Sequence, residues 1–245
     1  MENAQLISLS RQIALQRQMD VVANNLANIN TTGFKGEDVL FEDYLMPVAE
    51  DNDFLPADND LHYTLDWSSM TDMGQGAIEQ TGNPLDVALG GKGFLVVQTP
   101  QGERYTRAGA LQIDASGTLV DISGNPVLSD SGPITFEPSE TGIEIAPSGA
   151  ISSSEGPKGS LRLVEFADTK ALAREGSNLF SGPGAQPAVA TSIVQGSIER
   201  SNVSGVTELT QMIRVQRAYA SLASLMQRQD DVRRSAVQRL GDLNA

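Results

Sequence analysis

Leu15-Gln16-Arg17-Gln18-Met19-Asp20-Val21-Val22-Ala23-Asn24-Asn25-Leu26-Ala27-Asn28-Ile29-Asn30 is the stretch whose reading decides the fold. Leu15, Met19, Val22, Leu26 and Ile29 recur at alternating steps of four and three, the spacing of one face of an α-helix. No proline or glycine occurs from Glu2 to Asn30, so the spacing predicts a helix over that whole length. Leu6, Leu9 and Ile13 keep the same steps in a shifted register, which widens the apolar stripe enough to touch more than one neighbour. Thr31, Thr32 and Gly33 end the helix, glycine suiting the left-handed position just past a helix terminus.

At the far end of the chain the pattern returns. An uninterrupted run follows Ser204 and Gly205 as far as Leu240, and in it Met212, Val215, Tyr219, Leu222 and Met226 again alternate by three and four. Val206, Leu209 and Ile213 form an adjoining stripe. Asn202 or Ser204 can cap the start, Gly241 marks a stop, and Arg228, Arg233, Arg234 and Arg239 weight positive charge toward the C-terminal end, as the helix dipole prefers.

The residues between are of another kind. Most of the 23 glycines and 11 prolines lie there, separating short runs such as Phe94-Leu95-Val96-Val97, Ile134-Thr135-Phe136 and Leu161 to Phe166 that read as strands. Turn signals at Pro100-Gln101-Gly102, Ala115-Ser116-Gly117, Gly124-Asn125-Pro126, Pro147-Ser148-Gly149 and Glu155-Gly156-Pro157 are spaced as in an antiparallel meander or barrel. The expected fold is therefore α+β, with N- and C-terminal helices paired as a coiled-coil-like helical domain and a central all-β, antiparallel, barrel-like domain. The expected divisions are residues 1–35 with 202–245 as a helical assembly domain, 36–75 as a linker with an acidic stretch, and 76–201 as the β domain and its return loop.

Charge and composition remove several function classes. Seventeen Lys+Arg against 31 Asp+Glu give a net charge of −14, which opposes nucleic acid and anionic lipid surfaces. The absence of cysteine excludes disulfides, thiolate metal sites and a cysteine nucleophile. No apolar run is long enough to insert in a membrane, and Glu2 stands where a signal peptide wants cations, so a cytoplasmic chain or one exported without cleavage is expected. His62 is the one histidine, in an acidic context without a nucleophile elbow, and no catalytic set or cofactor site can be assembled around it. Asp51, Asp53, Asp58 and Asp60 could gather calcium, but Pro56 interrupts an EF-hand loop, and Gly90-Gly91-Lys92-Gly93 reads as a turn rather than a phosphate loop.

Two long amphipathic helices separated by a strand-rich middle pose a burial problem. One solution pairs the helices with each other and buries their remaining stripes on neighbouring subunits, and the other is a hairpin lying on the β domain of the same chain. The candidate assembly residues are Leu15, Met19, Val22, Asn25, Leu26, Asn28, Ile29 and Phe34 from the N-terminal segment, and Met212, Val215, Tyr219, Leu222 and Met226 from the C-terminal one. Asn24, Asn25, Asn28 and Asn30 read either as helix-end residues or as amides that fix register between helices. Phe34 and Phe41 dock on an adjacent subunit or are buried in their own segment. From a different class, a monomeric periplasmic module could use the acidic surface to grip a small ligand or cation.

Asn24-Asn25-Leu26-Ala27-Asn28-Ile29-Asn30-Thr31-Thr32-Gly33-Phe34-Lys35 resembles the N-terminal signature of the bacterial flagellar rod and hook proteins. Ser201-Asn202-Val203-Ser204-Gly205-Val206-Thr207-Glu208, followed by Met212-Ile213 and Gln216-Arg217-Ala218-Tyr219, resembles the matching C-terminal signature. Thr81 to Leu89, Gly93-Phe94 and Tyr105-Thr106-Arg107-Ala108-Gly109 are similar to the same family, and the chain length and the ending Arg233 to Leu240 look most like its proximal-rod member, with distal-rod and hook-type members the alternative. The resemblance implies a non-enzymatic structural subunit of the basal-body rod, assembling helically with copies of itself and other rod proteins in the periplasm and transmitting torque. It also implies export through the flagellar type III apparatus without signal cleavage, and no cofactor.

Overall fold

The structure, a computed structural model, describes residues 2–46 and 61–242. The acidic stretches at 50–53 and 58–60, weighed above as calcium ligands, lie outside the described residues, and so do the side chains of Phe41 and His62. The described residues fall into two units: Met1–Leu26, Glu37–Met70 and Gly205–Ala245 form one, and Ala27–Gly36 with Thr71–Ser204 the other.

The first unit holds helix α1 (Glu2–Ala27), helix α2 (Gly205–Asp242) and a two-stranded sheet of β1 (Glu37–Met46) and β2 (Leu61–Thr71). The two strands occupy the stretch read as a linker. Their sequence explains them, since Leu61, Tyr63, Leu65 and Trp67 alternate with His62, Thr64, Asp66 and Ser68 at the period of a strand. Neither helix is apolar enough to cross a membrane.

The second unit is antiparallel throughout. Strands β3 (Ile78–Gln80) and β4 (Val87–Gly90), near its beginning, pair with Ser197–Glu199 and Ser192–Gln195, near its end. Between them β5 (Phe94–Thr99) and β6 (Gly102–Thr106) form a hairpin at the centre of a six-stranded sheet, ordered Ala173–Arg174, Leu179–Ser181, β6, β5, Leu163–Glu165, Gln186–Pro187. A three-stranded sheet of Glu144–Ile145, Ala150–Ser153 and Gly156–Ser160 stands apart from it.

The barrel expected from the turn spacing is not there: the strands divide among separate sheets, none of them closed. The reason lies in β5. Leu95 and Val97 enter a core with Val87, Leu119 and Ile151, whereas Phe94 and Val96 enter another with Val164, Phe166 and Phe180. A strand buried on both faces reads as a continuous apolar run, and its sheet must be covered on two sides, which a single barrel interior does not provide. The second core is aromatic, with Phe94 edge-on to Phe166 at 5.6 Å and to Phe180 at 5.9 Å.

Candidate functional site

Two sets of residues from the predicted interface are brought together, one in each unit. In the first unit, α1 and α2 run antiparallel, because the Gln12 side chain donates to the Tyr219 hydroxyl at 2.8 Å while Asn25, nearer the end of α1, lies beside the Glu208 carboxyl, nearer the start of α2. On α2, Val215 is 4% exposed, and Met212, Tyr219, Leu222 and Met226 are half-buried at the same three-four steps. Apart from Gln211, which is half-buried, their flanking residues face solvent, and from Gln227 on every described side chain of α2 is exposed. On α1 the buried line is Ser8, Ala14, Val21, Val22 and Asn25, with Leu15, Met19 and Leu26 half-buried beside it. The adjoining stripes stay open: Leu9 (47%) and Ile13 (57%) on α1, and Val206 (78%), Leu209 (49%) and Ile213 (49%) on α2.

Burial pushes the Glu208 carboxyl above its ordinary range, an effect that Asp38 reinforces and the hydrogen bond from Asn25 opposes. A glutamate in the first turn of a helix also complements the positive end of the helix dipole.

In the second unit, the turn that follows α1 is fastened to the strand-rich body. Thr31 N–H and hydroxyl both bond Asn28, to its carbonyl and its side-chain oxygen at 3.1 Å, so Asn28 serves the helix end. Ile29 is half-buried in this turn. Gly33 then takes φ +67, and its N–H donates to the Glu199 carbonyl at 2.7 Å. A Cβ there would lie 2.5 Å from the backbone of Arg107 and of Ala108, so glycine is required by both conformation and space.

Lys35, Arg107 and Glu199 form a buried ion network. Lys35 and Glu199 are fully buried and Arg107 is 2% exposed. The Lys35 ammonium donates to Glu199 Oε1 at 2.5 Å and to the Gly74 carbonyl at 2.7 Å, and Arg107 Nε donates to Glu199 Oε2 at 2.9 Å. The Gly76 N–H completes the carboxylate at 2.8 Å, while Arg107 Nη2 donates to the carbonyls of Gly91 at 2.7 Å and Leu89 at 3.3 Å. The glycine turn at 90–93 thus turns its Gly91 carbonyl toward a cation, the opposite of a phosphate cradle. Desolvation lowers the Lys35 pKa below its ordinary value, against the hydrogen bond and charge of Glu199, and the charge of Arg107 lowers it further.

Around this network the chain entering the body is tied to the chain leaving it. Asn202, a possible cap for α2 by sequence, instead accepts from the Gly36 N–H at 2.8 Å and donates to the Asp72 carbonyl at 2.9 Å. Phe34 is 3% exposed, with the Arg174 guanidinium 4.4 Å from its ring centre, and Arg174 also donates to the Lys35 carbonyl. Asn178 donates to the Thr32 carbonyl at 3.1 Å. Sequence reading named Phe34 but missed Lys35, Arg107 and Glu199. The available signal was three single charges, each in or beside a signature segment already quoted.

The features define a class: a strand-rich body flanked in sequence by two long amphipathic helices, its entering and leaving segments locked together by one buried ion network. Three family models match in chain order: "Flagella basal body rod protein" over residues 6–35, "Flagellar hook protein FlgE/F/G D1 domain" over 88–153, and "Flagellar basal body rod FlgEFG protein C-terminal" over 194–239. The chain is 38% identical to the flagellar basal-body rod protein FlgF of Caulobacter vibrioides over 100% of both chains. It is 31% identical to FlgF of Mesorhizobium japonicum over 98% of this chain and 99% of that one. Against FlgG of Buchnera aphidicola (subsp. Acyrthosiphon pisum) it is 33% identical over 84% and 87%. The chain belongs to the flagellar basal-body rod protein family.

Proposed function

We propose that this chain is a structural subunit of the proximal flagellar rod, not an enzyme, located in the basal body where the rod crosses the periplasm. It is exported through the flagellar type III apparatus without signal cleavage, and it assembles with copies of itself and with other rod proteins. Residues 1–35 and 202–245 act as the assembly domain, 76–201 as the body, and 36–75 connects them. α1 and α2 pack in coiled-coil fashion along the seams of Leu15, Met19, Val22 and Leu26 and of Met212, Val215, Tyr219, Leu222 and Met226. Subunits related by a heterologous, non-closing contact then extend a helical filament through which torque passes by side-chain packing.

The observation that carries this reading is the exposure of Leu9, Ile13, Val206, Leu209 and Ile213 in regular helical steps beside an occupied seam. Apolar stripes of this kind are what a subunit retains for its neighbours. Hydrogen exchange on the monomer and on assembled rods tests it. The amides of α1 and α2 are expected to slow strongly on assembly while those of β5 and β6 hardly change. Helix amides that exchange equally in both states overturn the reading.

A further inference from the structure

Beside the ion network lies a cavity of about 310 Å³, with Met73, Lys92, Phe94, Arg107, Phe166 and Ala167 in its lining. All of these residues belong to the body. Lys92 and Ala167 are exposed and bring the cavity to the surface, whereas Phe94, Arg107 and Phe166 are buried and form its inner wall. That wall is aromatic, and the Arg107 guanidinium stands 5.6 Å from the Phe94 ring centre.

Two cations in this lining have donors to spare. Arg107 commits Nε to Glu199 and Nη2 to the carbonyls of Leu89 and Gly91, but Nη1, with two N–H donors, has no acceptor among the described residues. Lys92 has neither an ion pair nor a hydrogen bond among them. No aspartate or glutamate lines the cavity. Glu199 faces Lys35 as well as Arg107, so its one charge is shared. The acids next to the lining in sequence are engaged elsewhere. Asp72 accepts from the Gly74 N–H at 2.8 Å, Glu165 from the Thr191 hydroxyl at 2.7 Å and Asp168 from the Lys170 N–H at 2.9 Å.

An apolar cavity with one cation at its inner wall and another at the surface is complementary to a carboxylate on a short aliphatic stem. Ligand pockets span roughly 300–1,000 Å³, so this one, at the small end, suits a side chain rather than a large cofactor. With 31 Asp+Glu against 17 Lys+Arg, the chain itself supplies such carboxylates in excess, Glu137, Glu144 and Glu155 among the exposed ones on the body.

We propose that this cavity is a socket for an acidic side chain of a second copy of this chain, with Lys92 and Arg107 Nη1 receiving the carboxylate and Met73, Phe94 and Phe166 the stem. The inference rests on the subunit role proposed above and goes beyond it in placing a contact between copies on the body, at named residues.

Treating isolated basal bodies with a carbodiimide tests the socket, because the reagent joins an ammonium to a carboxylate only where the two touch. Mass spectrometry of the digest is expected to show Lys92 joined to an aspartate or glutamate of this same sequence, in a product that the dilute purified chain does not form. Ala167→Trp leaves Lys92 in place but fills the cavity from an exposed position, and is expected to abolish that product. Lys92→Glu, at an exposed side chain, is expected to keep the melting midpoint and lower rod incorporation at least about tenfold, while Lys92→Arg preserves incorporation. Lys92 left unjoined in basal bodies that contain the chain, joined to a different protein, joined equally in the dilute chain, or still joined in Ala167→Trp overturns the socket and leaves the subunit role intact. Basal bodies from the parent strain that lack the chain remove the subunit role, and the socket with it.

Discussion

Gly33 has no room for a side chain, and the reason is Arg107, seventy-four residues away in sequence. Gly33→Ala forces an L-residue into φ +67, costing about 1–2 kcal/mol, and adds a backbone overlap that only displacement of the turn relieves. Urea denaturation is expected to show a loss of at least about 2 kcal/mol for this single methyl group. Glu199 carries more. It neutralises two buried cations, so Glu199→Gln strands both and is expected to cost about 3–5 kcal/mol, whereas Lys35→Met leaves the Glu199–Arg107 pair standing and costs less. Equal losses for the two variants would mean that the Arg107 arm adds nothing once Lys35 is gone. A separate carboxylate, Glu140, contributes to acid sensitivity. Burial raises the Glu140 pKa, but hydrogen bonds from Lys158, Ser153 and the residue 137 backbone outweigh it and hold the group at about 2, below its usual 4.5. The folded state therefore gains from ionised Glu140 above pH 4.5, and that gain disappears as pH falls from 4.5 toward 2. Thermal midpoints measured across this window should fall less steeply for Glu140→Gln than for the parent protein.

At the scale of elements, α2 was legible because its apolar residues are few and regularly spaced: Met212, Val215, Tyr219, Leu222 and Met226 are the less exposed positions along that stretch. The centre of the α1 seam was less legible. Its buried line runs through Ser8, Ala14 and Asn25 as well as Val21 and Val22, and the small or polar members carry no hydrophobic signal, while the larger Leu15, Met19 and Leu26 are half-buried beside them. In the body, the run at Phe94-Leu95-Val96-Val97 announced a strand, but only its two cores reveal that the sheet is covered on both faces. β1 and β2 were hidden by the acidic residues between them, although the alternation from Leu61 to Trp67 was present throughout. The exposed stripe supplies the element's own prediction. Leu209→Glu with Ile213→Glu alters two half-exposed positions, so the monomer's melting transition should stay within about 0.5 kcal/mol of the parent. Incorporation into rods, scored by electron microscopy of basal bodies, should be lost. A double variant that still builds rods would assign that stripe no role in assembly.

For the whole molecule, the covalent boundary of a helix and the boundary of the unit it serves differ. α1 ends at Ala27, yet residues Ala27–Gly36 belong with the body, held there by Gly33, Phe34 and Lys35. Two truncations therefore have different consequences. Removing residues 1–26 takes away the α1 seam and Asn25 but spares the turn and the ion network, so the body should keep its cooperative transition while rod incorporation fails. Removing residues 1–36 also deletes Lys35 and Phe34, leaving the Glu199–Arg107 pair beside an empty site and Arg174 without its aromatic face. That loss is smaller than the roughly 3–5 kcal/mol of breaking the Glu199–Arg107 pair itself, yet with the buried Phe34 side chain also gone it remains a measurable share of the roughly 5–15 kcal/mol by which a domain is stable. Calorimetry of both truncated chains makes the distinction. A body that melts alike in the two would show that the signature turn is carried by the body without supporting it, and the stability of the body would have to lie in the two cores around β5.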